Sequence, residues 1–223
     1  MGTESIEASF LSIFALISFF IFLLVSKYAH KIGRGALLDK DFLKPQAFHD
    51  TPITRSGGIA AIISLSIFFI IYHLLYDEVL YDYIFISYSV FFIGFLDDLR
   101  INIKPLIRLI IMIFLLLIFI YFLPIKIFNI DIPFLTSLIS NHMFSSLFVL
   151  LCFLFVINGA NLIDGFNGLL TINLIIINII LAYTNINNEN LEFSILIIAQ
   201  IIILLSFLLF NFPISKIFLG DSG

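Results

Sequence analysis

Seven long, nearly uninterrupted apolar stretches recur along this 223-residue chain, and no other feature constrains it as tightly. They run Ala8–Val25, Gly57–Tyr76, Val79–Leu96, Pro105–Leu123, Met143–Ala160, Gly168–Tyr183 and Phe193–Phe212. A helix crossing the hydrocarbon core of a bilayer needs about 20 mostly apolar residues, within a range of about 17–25. In lipid every backbone N–H and C=O must be paired, which leaves helices and closed barrels. The stretches lack the apolar/polar alternation of barrel strands. The sequence therefore predicts an all-α, polytopic integral membrane protein, a single transmembrane domain over 1–223 with about seven transmembrane helices. The sixth stretch is short and must extend into its flanks, and the third carries Asp82 near one end, within reach of water.

Composition closes off the other classes. Hydrophobic residues make up 61% and charged residues 12%, against about 45–50% and about 25% in soluble domains. A soluble globule, a disordered chain and a coiled coil are excluded. A net charge of −4 offers no basic face, so no nucleic-acid partner is expected. The single Cys152 lies in an apolar run, which excludes a disulfide framework.

Charge placement sets the orientation. Glu4 and Glu7 precede the first stretch, and Lys27, Lys31 and Arg34 follow it, the reverse of a signal peptide. The pattern reads as an uncleaved helix with its N-terminus outside. Alternation then puts 26–56, 97–104, 161–167 and 213–223 inside. Of the 11 Lys and Arg, only Lys126 falls in an outside segment, as the positive-inside rule asks. Arg108, one turn into the fourth helix, can snorkel inward.

Ionisable groups are costly in a membrane protein, so their placement is informative. Three clusters fall at the inside ends of helices. Asp97-Asp98 closes the third helix; adjacent carboxylates repel and favour a nearby cation, although taken alone the pair reads as a solvated helix end. The run Asn158-Gly-Ala-Asn161-Leu-Ile-Asp164-Gly-Phe-Asn167-Gly168 joins the fifth and sixth helices. Its Asn161, Asp164 and Asn167 recur every three residues, which helical or turn-like backbone groups on one side. They offer oxygen ligands at a density that a plain turn does not need. The third cluster, Phe218-Leu-Gly-Asp221-Ser-Gly223, is by itself an ordinary turn sequence.

A fourth segment is the basic loop from Asp39 to Gly58. Its lysines are explained by topology alone. Pro52, Arg55 and the pair Gly57-Gly58 are not, and a helix N-terminus beside an Arg is a natural phosphate site. Lone residues get plainer readings. His30 and His73 are interfacial, Asn173, Asn178 and Gln200 are interhelical hydrogen-bond partners, and Cys152 is packing.

Taken together and in this order, the four motifs resemble the polyprenyl-phosphate N-acetylhexosamine-1-phosphate transferases, which start peptidoglycan, O-antigen, lipopolysaccharide and teichoic acid synthesis. The resemblance covers roughly residues 30–223. It implies an all-helical fold in the inner (plasma) membrane with a cytoplasmic active site. It also implies Mg²⁺, a UDP-N-acetyl sugar donor, an undecaprenyl phosphate acceptor and release of UMP, and it is compatible with a homodimer. Carried over, Asp97 and Asp98 are the catalytic acids. Asn161 and Asp221 are the Mg²⁺ ligands, and Arg55, Arg108, Asp164 and Asn167 are substrate contacts. Some relatives have Asp where this chain has Asn167, which alters the charge balance. The loop before Gly57 is closer in form to the surface-polysaccharide branch than to the peptidoglycan branch. The resemblance further implies that about three or four helices and a cytoplasmic loop bearing His or Arg would follow Gly223, and that the 223-residue chain is an inactive fragment. The competing class is a polytopic transporter or channel, which would place its ionisable groups near the bilayer midplane.

Overall fold

The computed structural model describes residues 3–29, 31, 37–39, 52–99, 104–122 and 132–223. Among them are α1 (Thr3–Tyr28), β1 (Leu38–Asp39), β2 (Ile53–Thr54), α2 (Gly57–Tyr76), α3 (Tyr81–Asp98) and α4 (Pro105–Phe122). They are followed by α5 (Pro133–Ile139), α6 (His142–Ile163), α7 (Leu169–Asn187) and α8 (Leu191–Asn211). The protein is an all-α polytopic membrane protein. Six of these helices are long and apolar enough to cross a bilayer. The remaining long one, α3, occupies the third expected position and carries three carboxylates, Asp82, Asp97 and Asp98.

Helix ends depart from the sequence reading where polar residues lie. α3 runs on to Asp98, so the acidic pair sits in its last turn instead of beyond it. α6 continues to Ile163, which places Asn158 and Asn161 within a helix and leaves Asp164–Gly168 as the turn. The sixth stretch does extend, to Asn187. The expected outside connection 124–142 contains a short helix, α5, with Pro133 at its first position, where the missing N–H costs nothing.

The chain divides into two compact units. The first comprises 1–101 and 163–223, the second 102–162. In the first, α8 packs against α1, α2 and α7, and α2 also meets α1 and α3. Hydropathy cannot show which face of an all-apolar helix is interior; the packing does. α1 buries Phe10, Phe14, Ser18, Phe22 and Val25, one stripe at helical spacing. Its rings meet those of α2 and α8: Phe10 stacks on Phe68 at 5.7 Å, Phe14 meets Phe68 edge-on at 5.4 Å, and Phe22 lies 6.1 Å from Phe207. Small residues let the backbones approach, with Ala60, Ser64 and Ala199 fully buried.

Several polar side chains inside the helices bond to their own helix. Ser64 and Ser206 donate to the carbonyls of Ala60 and Ile202, four residues back. Asn173 and Asn178, expected to bridge helices, also turn back onto their own helix, donating to Leu169 and Leu174 at 2.8 and 2.9 Å. That bond is always within reach of a helical amide, whereas a partner on another helix has to be placed there. In the second unit α4 and α6 meet through Phe119 and Phe153, edge to face at 5.9 Å. Cys152, expected to pack, is exposed.

Candidate active site

The first unit gathers three of the four motifs at one end of α2 and α3. β1 and β2 pair antiparallel, Leu38 with Thr54 and Asp39 with Ile53. Ile217 adds a parallel bridge to Thr54, and the Phe218 amide donates to the Thr54 carbonyl at 2.8 Å. The chain then passes over the foot of α2, where the amides of Gly57 and Gly58 donate to the carbonyls of Phe218 and Leu219 at 2.9 and 2.8 Å. The first N–H groups of a helix have no partner within it; here a distant strand supplies two of them. Two of the donors at the N-terminus of α2, beside Arg55, are therefore used within the protein.

The next residues close onto α3. Asp98 is 1% exposed. Its Oδ1 accepts from the Asp221 amide at 3.0 Å and its Oδ2 from the Ser222 amide at 2.9 Å. Arg55 Nη1 lies 3.8 Å from the same carboxylate. Burying an isolated carboxylate costs several kcal/mol; two charge-assisted donors and a guanidinium offset that cost. The fit depends on glycine. A Cβ at Gly94 would overlap the Asp221 carbonyl, and one at Gly220 would stand 2.6 Å from Asp98 Oδ2. Gly220 also has φ +76°, a conformation that only glycine adopts freely.

Adjacent in sequence, the two aspartates part in structure. One residue turns the helix by about 100°, so Asp98 faces the packed strand while Asp97 is half-exposed. Asp221 is half-buried at the same end.

A second connection runs from the turn after α6. Asn211, 4% exposed at the end of α8, accepts from the Gly168 amide through Oδ1 at 2.6 Å. It donates from Nδ2 to the Ile217 carbonyl at 3.0 Å. Asn167 Nδ2 donates to the Pro213 carbonyl at 3.1 Å. Sequence reasoning missed Asn211; an amide closing an otherwise apolar helix two residues before Pro213 was the available signal. Burial raises the Asp164 carboxyl to about 6, and the Arg55 guanidinium opposes the rise. The Asp164 side chain reaches solvent, and water access also works against it.

The structure thus brings together Arg55, Asp98 and the Asp221 turn, and ties the Asn167–Gly168 turn to the same strand. Arg108, in the first turn of α4, and Asn161, in the last turn of α6, belong to the second unit. Lys40, Lys44, His49 and Arg100 lie outside the described residues. Among the described residues no three His, Cys, Asp or Glu side chains close on one point to hold a metal.

The chain belongs to glycosyl transferase family 4, whose model matches residues 80–223. A phospho-N-acetylmuramoyl-pentapeptide-transferase of Clostridium perfringens (strain 13 / Type A) is 35% identical over 95 residues, which is 43% of this chain and 30% of that protein. The protein of the same name from strain ATCC 13124 is also 35% identical over 95 residues, 29% of its length. The similarity thus covers less than a third of either relative.

Proposed function

We propose that the protein transfers a sugar-1-phosphate, an N-acetylhexosamine-1-phosphate, from a UDP-sugar to undecaprenyl phosphate. A lipid phosphate oxygen attacks the sugar-bearing phosphorus of the donor. The bond to the UMP oxygen breaks, and the products are a lipid diphosphate sugar and UMP. The observation that carries this reading is the joining of Asp98 to the Asp221–Ser222 turn in a chain of this family.

Phosphoryl transfer asks a protein mainly to position its reactants and stabilise charge. Two anions must meet, so cationic groups are needed; Arg55 stands in the first unit and Arg108 in the second. Asp97, half-exposed at the end of α3, is the base or orienting acid. The expected ligands Asn161 and Asp221 both offer oxygen, the chemistry of Mg²⁺; among the described residues no three His, Cys, Asp or Glu side chains form a cluster. Omitting Mg²⁺ from the assay tests the reaction's need for the ion. The Lys/Arg asymmetry supports a cytoplasmic orientation of this face.

Purified protein in nanodiscs, given undecaprenyl phosphate and Mg²⁺, is tested with UDP-N-acetylglucosamine, UDP-N-acetylgalactosamine and UDP-N-acetylmuramoyl-pentapeptide. The expected result for the full-length gene product is UMP release with one UDP-N-acetylhexosamine. Release with the muramoyl-pentapeptide donor alone moves the protein to the peptidoglycan branch. No release and no exchange of labelled UMP into any donor sinks the transferase reading.

A further inference from the structure

We propose that Asp98 is a positioning residue: its buried carboxylate clamps the Asp221–Ser222 turn onto α3 and so fixes the place of Asp221, leaving the reaction to Asp97. The part concerning Asp221 rests on the transferase reading above; the clamp does not. Both Asp98 oxygens accept backbone amides, from Asp221 and Ser222. The side chain has no solvent exposure, and Arg55 lies on the same carboxylate. A group so enclosed is poorly placed to take a proton from a reactant, and protonating it would weaken both bonds. The surroundings are shaped around it: Gly94 admits the Asp221 carbonyl, and Gly220 leaves space beside both carboxylate oxygens. The bond from Asp221 to Asp98 spans 123 residues, so this one side chain sets the register of two distant motifs. Position matters here because an error of about 1 Å at a reacting group costs about 10²-fold in rate.

The test is amide hydrogen exchange and amide proton shift at Asp221 and Ser222. Both are read by NMR on protein selectively ¹⁵N-labelled at Asp and Ser, in nanodiscs. Asn offers one acceptor oxygen where Asp offers two. Asp98→Asn is therefore expected to speed exchange at one or both amides by at least about tenfold, as losing a charge-assisted bond implies. It should also move their proton shifts, while the Ser206 amide within α8 keeps its protection. Asp97→Asn should do neither. Gly220→Ala leaves the carboxylate in place but drives a Cβ into it, so it gives the same loosening by a second route should the first variant fold poorly. Unchanged amides in both Asp98→Asn and Gly220→Ala, or equal loosening by Asp97→Asn, overturn the clamp. Turnover separates positioning from catalysis. Asp98→Asn and Gly220→Ala should lose rate within about tenfold of each other, since both act through the turn. A deficit in Asp98→Asn more than about 10²-fold beyond that of Gly220→Ala would make Asp98 catalytic and overturn the assignment. If unaltered protein transfers no sugar phosphate, the transferase reading falls alone and the exchange measurements still decide the clamp.

Discussion

The interior of α1, α2 and α8 and the foot of α2 and α3 are held by different means. In the interior, Ser64 and Ser206 bond to carbonyls four residues back on their own helices, and the helices meet mainly through rings such as Phe14 and Phe68, with a hydroxyl pair, Ser66 and Tyr88, between α2 and α3. At the foot the bonds are long-range, from Gly57 to Phe218 and from Asp221 to Asp98. Lipid forces each helix to satisfy its own backbone, so contact between helices is a matter of shape. Where the chain leaves the helices, its amides and carbonyls must find partners elsewhere, and the partners are the candidate motifs. The interior can therefore drift in sequence while keeping its volume, whereas the foot depends on particular glycines and one carboxylate.

The largest expected effect falls on chemistry at the foot. Asp97→Asn should reduce UMP release by at least about 10²-fold, the scale of a lost acid–base group, with the protein still folded by size-exclusion chromatography in detergent. Near-normal turnover would remove Asp97 from the site. Next come two substitutions that set interior against foot. Phe68→Ala should cost up to about 3–5 kcal/mol, as for large core rings, measured by SDS unfolding in mixed micelles. Asn211→Leu keeps an apolar body but orphans the Gly168 amide and the Ile217 carbonyl. It should cost about 2–3 kcal/mol and lower UMP release more than Phe68→Ala does. If Phe68→Ala proved the more damaging to turnover, the contrast between the two regions would fail.

The smallest effect concerns Asp164. Its carboxyl is raised from 3.8 to about 6, so the folded protein holds that proton more tightly than the unfolded chain. The stabilisation is complete below about pH 3.8 and is lost as pH rises through about 6. A ¹³C titration of the carboxyl should give a midpoint above the ordinary value. Asp164→Asn should flatten the dependence of stability on pH across that window, and a midpoint at or below 3.8 would contradict the shift.

Helix positions were legible because about 20 apolar residues in lipid have one common solution. The ends of α3 and α6 were not, because Asp98 and Asn161 look like loop residues by polarity, and only tertiary partners decide whether the helix continues through them. The site was legible as residue types: Asp98, Asn167 and Asp221 all stand at the foot or are tied to it. Their division of labour was not. Asp97 and Asp98 are chemically the same, and only the strand packed on α3 makes one structural. Asn211 stayed hidden because its two partners, Gly168 and Ile217, are backbone groups that no side-chain pattern announces. The glycines carried more information than they were credited with, since Gly57, Gly58, Gly94 and Gly220 mark the path along which one segment of chain crosses two helices.

That crossing gives the molecule a built-in order of assembly. A ribosome delivers α2 and α3 long before residues 217–222, because synthesis runs from the N-terminus. Until then the amides of Gly57 and Gly58 and the carboxylate of Asp98 must rely on water at the membrane surface. They exchange it for protein only when α8 has been threaded and the strand behind it returns. Closure of the foot thus follows delivery of α7 and α8, and it reports that they have been inserted. A chain with α8 misplaced would keep an open, hydrated α2 foot.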